Sequence, residues 1–410
     1  MARFGQTGLV VLGIIVLSVP LLCQDLVEEE EPDWKPINLC NSDNCKLPYC
    51  NCAGTKIPGK LSRKETPQMV MFTFDDAVNA QVWGHFKKLF HPSRKNPNGC
   101  PISITLFVSH NYTDYCMVNR MWALGHEIAS HSITHRVPTD WWSNAEYEDW
   151  EFEIWGQKNN LMRDAKVPIK EIQGMRSPFL AVGGDNQFSM LEKFNFSYDA
   201  TIVGGPANLE DPTLWPYTLD FSMEEQDQNC NIPPCPHKRY PGFWEIPVLR
   251  TMDVGGIECS FVDKCLNRPG DAEEMYEFLW MNFLRNYETN RAPFGLNMHA
   301  IWFSSYKYTV DGFDMFIKKL LQLDDVYIVT SSDAIKWIQD PTPLSRIRNF
   351  KPWLRSCKRQ TPDDCKLPKE VGDYDWGGGW GDLSTLWIWE YIIMFISAVV
   401  LIKRDNFDDV

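Results

Sequence analysis

The sequence predicts an α/β fold, a distorted (β/α) barrel of about seven parallel strands with disulfide-rich insertions. Three observations predict it. Short apolar runs alternate with amphipathic stretches from Thr66 to Asp340, the signature of strand–helix units in a parallel sheet. Roughly seven such units in one continuous domain suit a closed barrel better than an open sheet. Cysteines gather where the alternation stops, at residues 40–52 and 230–265.

The elements follow in order. Residues 69–74, MVMFTF, read as a strand, and residues 80–90, AQVWGHFKKLF, as an amphipathic helix. ISITLFV at 102–108 is the next strand. Residues 119–131, NRMWALGHEIASH, give a helix, a glycine break and a short strand. A long helix is expected over 145–165, a strand ending at 178 and a helix over 185–195. SYDATIV at 197–203 is a strand, and residues 272–290 form a helix. FGLNMHAIWF (294–303) and VYIVTSS (326–332) are strands, each followed by a helix, over 312–323 and 333–340. From about Gly204 to Asp271 the alternation breaks into a Pro-rich stretch with four Cys. It is expected as an ordered, disulfide-tied insertion over one face. Residues 24–65 are acidic and then Cys-rich, with too little apolar content to fold alone. They are expected to be stapled against the main domain, and residues 341–385 to form a Cys-containing extension.

Residues 1–23 carry Arg3, an apolar run from Leu9 to Leu22 and then QDLVEEEEPD. This is the pattern of a signal peptide cleaved near Cys23. A signal anchor is the alternative, but the run is short for a span and Pro20 interrupts it. Twelve cysteines follow Cys23, an even number that reads as disulfides in an exported chain. Zinc binding by Cys45, Cys50 and Cys52 is a weaker rival, since their spacing fits no zinc knuckle. Sequons at Asn111 and Asn195 are compatible with export and glycosylation. Leu386 to Ile402 is apolar apart from Glu390 and precedes Lys403 and Arg404. Seventeen residues is at the short limit of a span, so a membrane anchor and a docked terminal helix are both open there.

The chain has 410 residues and a net charge of −14, a balance that argues against a nucleic-acid partner. Its 17 Trp are core packing or flat platforms for sugar rings. Residues 70–79, VMFTFDDAVN, end an apolar run in two adjacent carboxylates, Asp75 and Asp76. A solvated turn is the plain reading. Residues 131–135, HSITH, offer two imidazoles four apart, which on a helical turn would share one face and grip one metal. His126 has no such partner. Two His and one carboxylate make a three-ligand catalytic zinc site, and the second Asp can then act as general base. Arg176 ends another strand, where it is either a surface ion pair or a cation that lowers the pKa of Asp75. His299 lies in an apolar strand, either as a packed core histidine or as the acid that a leaving amine needs.

Four motifs then carry a resemblance: Thr73-Phe74-Asp75-Asp76-Ala77, His131 to His135, Arg176-Ser177-Pro178-Phe179 and Leu296-Asn297-Met298-His299. In this order they resemble the polysaccharide deacetylases (carbohydrate esterase family four). Trp215 to Leu219 and the Cys-rich insertion look like those of the insect-type chitin deacetylases. The resemblance covers residues from about 66 to 340. It implies zinc, or another divalent ion such as cobalt, on Asp76, His131 and His135. It implies Asp75 as base, His299 as acid, Arg176 as the group orienting Asp75, and the Phe179 N–H as an oxyanion donor. Trp215 and Tyr217 would line the sugar subsite. The family's Asp-x-x-Asp-Trp motif, which orients the acid, is absent as such, and Asp199 is the candidate for that task. No chitin-binding module is seen.

The reading is a secreted, monomeric zinc hydrolase that removes acetyl groups from chitin or chito-oligosaccharides. Attachment at the cell surface through residues 386–402 is the alternative location. A non-catalytic chitin-binding or matrix-organising protein on the same scaffold is a rival, disfavoured by the complete set of base, ligands and acid. A deacetylase of another glycan is the third.

Overall fold

The computed structural model describes residues 39–205, 210–230 and 232–358, together with positions 360 and 362. The expected signal peptide, the apolar segment 386–402 and Cys365 lie outside the described residues.

Among the described residues there are thirteen strands. They are β1 (Gln68–Asp75), β2 (Thr105–Val108), β3 (Glu127–Ser130), β4 (Gly174–Met175), β5 (Tyr198–Asp199) and β6 (Val203–Gly204). Then come β7 (Tyr217–Leu219), β8 (Tyr240–Glu245), β9 (Val248–Leu249), β10 (Thr251–Met252), β11 (Glu258–Cys259), β12 (Phe294–His299) and β13 (Val326–Ile328). The main sheet runs β12-β1-β2-β3-β4-β5-β8-β7, and β13 pairs with the start of β1. Every pairing in this sheet is parallel except β7 with β8, and β10 and β11 form a separate antiparallel pair. β9 pairs with β6 and packs against β12, which brings the two ends of the curled sheet together. This is the expected distorted barrel. Among the described residues no helix is long and apolar enough to cross a membrane.

β1 shows why such strands read as continuous apolar runs. All eight of its residues are buried, because both faces are covered. Val70, Phe72 and Phe74 face the outer core, where the helices lie. Met69 and Met71 face a second core with Phe107, Tyr198, Trp215, Trp244 and Trp337. Thr73 and Asp75 continue this second series by the period of two. The carboxylate of Asp75 is therefore carried on the face opposite the helices. The flanking helices start at side-chain caps. Asp114 accepts from the N–H groups of Cys116 and Met117, and Asp271 from those of Glu273 and Glu274. Gly312 lets helix Lys307–Leu320 approach helix Ala272–Glu288, since a Cβ there would lie 2.6 Å from the Ala272 carbonyl oxygen.

The Pro-rich stretch does more than cover a face. It supplies β7, β8 and β9, and β8 is a parallel strand of the main sheet beside β5. Its proline and glycine, Pro241 and Gly242, fall at two exposed positions of the strand, which hid the strand pattern. The N-terminal segment is closed on itself by Cys40–Cys52 and Cys45–Cys50, so those thiols hold no zinc. It is attached to the barrel by hydrogen bonds rather than by a covalent link. Asn51 N–H donates to Thr218 Oγ1, its amide to the Pro216 carbonyl, and Ala53 N–H to Gln226. Cys100–Cys357 fastens the segment carrying the buried Trp353 to the loop before β2. Cys230–Cys235 and Cys259–Cys265 close short loops, and Cys116 is also disulfide-bonded. In the chain-entropy picture a bond spanning 257 residues constrains the unfolded state by about 5.5 kcal/mol, and one spanning 6 by about 2 kcal/mol.

Candidate active site and metal centre

The carboxyl ends of β1, β3, β4 and β12 converge on one group of polar side chains. Strand register does much of this. Asp75 sits directly opposite His299 on β12 and Phe107 on β2. His131 follows β3, and Arg176 follows β4 with its N–H on the Ser130 carbonyl. This is the end of a barrel at which parallel strands deliver functional groups.

Asp76 would point away from Asp75 if the strand continued. Instead its φ is 80°, a left-handed turn that costs a non-glycine residue energy and marks strain at a functional position. The turn brings both carboxylates to one imidazole. His131 Nε2 lies 3.6 Å from Asp76 Oδ1 and 3.8 Å from Asp75 Oδ2. His135 Nε2 lies 3.5 Å from Asp76 Oδ1. Metal-binding atoms of Asp76, His131 and His135 all fall within 4.8 Å of one another.

His131 and His135 do not meet on a helical turn. Residues 131–135 are a loop with left-handed backbone at Ser132 (φ 79°) and His135 (φ 48°). The two rings meet through that loop, with centroids 5.2 Å apart. A buried carboxylate holds it in shape. Glu153 Oε2 accepts from the N–H groups of Ile133 (2.9 Å) and Thr134 (2.8 Å), and Oε1 from the Thr134 hydroxyl (2.6 Å). Glu153 stands on a π-helical turn, Glu151–Trp155, inside the long helix expected over 145–165. Gly156 follows it, and a Cβ there would come within 2.8 Å of the Ile133 side chain.

The chemistry of the donors fits a cation. His131 Nδ1 faces the Arg176 carbonyl oxygen at 2.9 Å, so Nδ1 carries the proton and Nε2 a lone pair. Burial, with His135 beside it, pushes His131 down to about 3, so the ring is neutral. A neutral nitrogen lone pair then faces two carboxylate oxygens, an arrangement that suits a bound cation. A metal bound tetrahedrally at about 2.0–2.1 Å would set its donors about 3.3–3.4 Å apart. The two distances from Asp76 Oδ1 are close to that spacing.

Asp75 is buried and paired. Its Oδ1 accepts from Arg176 Nη1 at 2.7 Å. Burial raises the pKa of Asp75 above the ordinary carboxylate value, and Arg176 only partly offsets this. Arg176 is no surface ion pair: it is 2% exposed. It also donates to the Ala200 carbonyl, Thr73 Oγ1 and Asn297 Oδ1, so its head group has one orientation. Phe179 has φ 59° and sets its ring 4.6 Å from that of His135.

His299 is held by Asp263, which the sequence reading missed. His299 Nδ1 lies 2.8 Å from Asp263 Oδ2, and its backbone N–H donates to Oδ1. Burial would lower the pKa of this imidazole, but Asp263, Asp76 and Asp75 together outweigh burial and raise it to about 9. Its Nε2 lies 3.8 Å from Asp76 Oδ2. Asp199 is elsewhere. It accepts from Thr201, is fully buried and makes no hydrogen bond to His299. Trp215 and Tyr217 are not at the cleft either. Trp215 is 1% exposed and stacks on Trp337, and Tyr217 is packed among Met175, Phe188 and Tyr240. The subsite roles that the resemblance implied are not supported: Trp215, just before β7, packs in the second core, and Tyr217, on β7, packs against the helices. Asp263 had one legible signal: it lies in a loop bounded by Cys259 and Cys265, seven residues in all.

Chitin deacetylase 8 of Bombyx mori is 38% identical to this chain over 329 residues, covering 80% of this chain and 84% of that protein. The chain belongs to the chitin deacetylase branch of the polysaccharide deacetylases. Chitin deacetylase 1 of Bombyx mori is 41% identical over 350 residues, 81% of this chain. The chain spans 64% of the length of that relative. No family model matches the chain. Among solved structures, a CE4 esterase from Streptococcus mutans is similar at 14% identity and a TM-score of 0.40. The match covers 66% of this chain and 88% of that one. Asp75, Asp76, His131, His135, Arg176 and His299 converge here, with Asp263 added to them.

Proposed function

We propose that this chain is an exported, zinc-dependent deacetylase that hydrolyses the N-acetyl groups of N-acetylglucosamine units in chitin, giving chitosan and acetate. The observation that carries the reading is the convergence of Asp75, Asp76, His131, His135, Arg176 and His299 at one end of one barrel. The catalytic domain spans about residues 66–340. Asp76, His131 and His135 would hold the metal, which when bound supplies a Lewis acid for the water and the acyl oxygen.

The rest is the chain's own chemistry. Asp75 takes a proton from the attacking water, and burial suits it as a base. Arg176 keeps the receiving carboxylate in place through Oδ1 and leaves Oδ2 free on the metal side. The amide C–N bond breaks as His299 gives its proton to the departing amine. An imidazole raised to about 9 holds that proton at neutral pH. The Phe179 N–H is the proposed donor to the oxyanion. Disulfides among the described residues support an oxidising compartment, and the sequon residues Asn111 and Asn195 are both exposed. The test is acetate release from chitin oligomers by metal-free chain, before and after zinc is restored. Release that depends on zinc is expected, and none after zinc uptake would overturn the reading.

A further inference from the structure

We infer that the Cys259–Cys265 disulfide and the residues it brackets are the positioning element of His299, an inference that rests on the proposed deacetylation. Three bracketed residues reach into the site. The Ser260 carbonyl accepts from Asn297 Nδ2 at 3.3 Å, and Asn297 Oδ1 accepts from Arg176. The Phe261 ring lies 5.0 Å from the His299 ring and 5.5 Å from the Arg176 guanidinium, so it is a strut between them. Asp263 grips His299 twice, through the backbone N–H at 3.3 Å and through Nδ1 at 2.8 Å. The second grip holds the ring so that Nε2 is the end turned toward Asp76.

The disulfide joins the two ends of this loop. A bond that closes so few residues constrains the unfolded chain far less than Cys100–Cys357 does. Its effect is local: it fixes the distance between the strand β11 end of the loop and the turn that carries Asp263. None of the hydrogen bonds that shape the loop of His131 and His135 comes from these residues. Opening the clip should therefore loosen the acid and spare the metal ligands. A misplacement of a reacting group by about 1 Å can cost on the order of 10²-fold in rate.

The test uses the full chain, its Cys259→Ala/Cys265→Ala double variant and Phe261→Leu, which leaves the disulfide intact. Zinc content, thermal midpoint, kcat and KM are measured on an N-acetylglucosamine oligomer and on an aryl acetate. The downfield proton resonance of the hydrogen-bonded His299 Nδ1–H is followed by NMR. The double variant should keep its zinc and a near-normal midpoint. Its kcat on the amide should fall at least about tenfold with KM little changed, while the aryl acetate, whose leaving group needs no proton, is spared. The resonance should broaden or vanish. Phe261→Leu should show the same pattern more weakly, and it carries the test if the double variant does not fold. Amide turnover at the unmodified rate, or an equal loss on both substrates together with zinc, would overturn the inference. No acetate release by the unmodified chain would sink the deacetylase reading instead. The clip would then be judged on the resonance, whose persistence in the double variant counts against it.

Discussion

Glu153 is not among the proposed metal ligands, yet its removal should be felt at their site. Glu153→Ala takes the acceptor from the N–H groups of Ile133 and Thr134 and from the Thr134 hydroxyl. The hydroxyl belongs to an exposed residue and can turn to water, but the two N–H groups point at a carboxylate that is only 2% exposed. A buried donor left without a partner costs about 1–3 kcal/mol, so the pair should cost about 2–6 kcal/mol. The loop can avoid part of this by losing its left-handed shape at Ser132 and His135. Metal binding must then restore that shape, and outer partners of ligand histidines typically contribute 10–100-fold to affinity. Glu153→Ala is expected to weaken zinc binding by about that factor and to lower the melting temperature. In Glu153→Gln the amide oxygen can keep both N–H groups while the Thr134 hydroxyl turns to accept, so about 1 kcal/mol should be lost. Chelator competition gives the zinc Kd, and a thermal melt gives the stability. An alanine variant with unchanged Kd and melting temperature would refute the reasoning, as would a glutamine variant as damaged as the alanine one.

His131→Ala and His135→Ala should each abolish zinc retention and acetate release, read by metal analysis and a rate on chitin oligomers. Asp75→Asn should keep zinc and lose about 10²- to 10⁴-fold in rate, whereas Asp76→Asn should lose zinc. The reverse pattern would exchange their roles. Trp215→Ala should destabilise the fold by about 3–5 kcal/mol in denaturant titration, because Trp215 stacks on Trp337 inside the barrel. A subsite residue would instead raise KM and leave stability alone. Asp199 is pushed up to about 6 by burial, with Glu245 beside it raised as well. The folded chain therefore binds more protons than the unfolded one between the ordinary carboxylate value and about 6. Stability should fall as pH rises through that window, and Asp199→Asn should flatten the slope in denaturant titrations at stepped pH.

The legible part of the site lies where chemistry sits at a strand end. Asp75, Asp76, His131, Arg176 and His299 each follow an apolar run, and a run can be read from one sequence. The pattern could not show how Asp76 turns, since a positive φ leaves no mark in residue type when an Asp adopts it. It could not show that His131 and His135 meet through a loop, because helix and loop both allow that spacing. For Asp263 the Cys bracket marked a tied loop but not its target: it approaches His299 from 36 residues away, out of a Pro-rich stretch whose register no periodicity sets. Trp215 and Tyr217 were misplaced because an aromatic residue has the same signature in a barrel interior and on a cleft wall. β8 was missed because Pro241 and Gly242 interrupt it at its exposed positions.

The pairing of Asp75 with His299 across adjacent parallel strands has a consequence for how such a chain can change. One inserted or deleted residue upstream in β1 or β12 would turn either side chain through half the strand's repeat, from the site to the helix-packed face. No compensating point substitution could restore the pair. Length variation is thus forbidden along these two strands and open in the loops beyond their ends. A family descending from such a chain would keep its proton-transfer pair and diversify by growing and trimming its rim. An engineer seeking a new glycan should do likewise: graft loops of any length after residue 299 or between 109 and 114, and leave the spacing within β1 and β12 untouched.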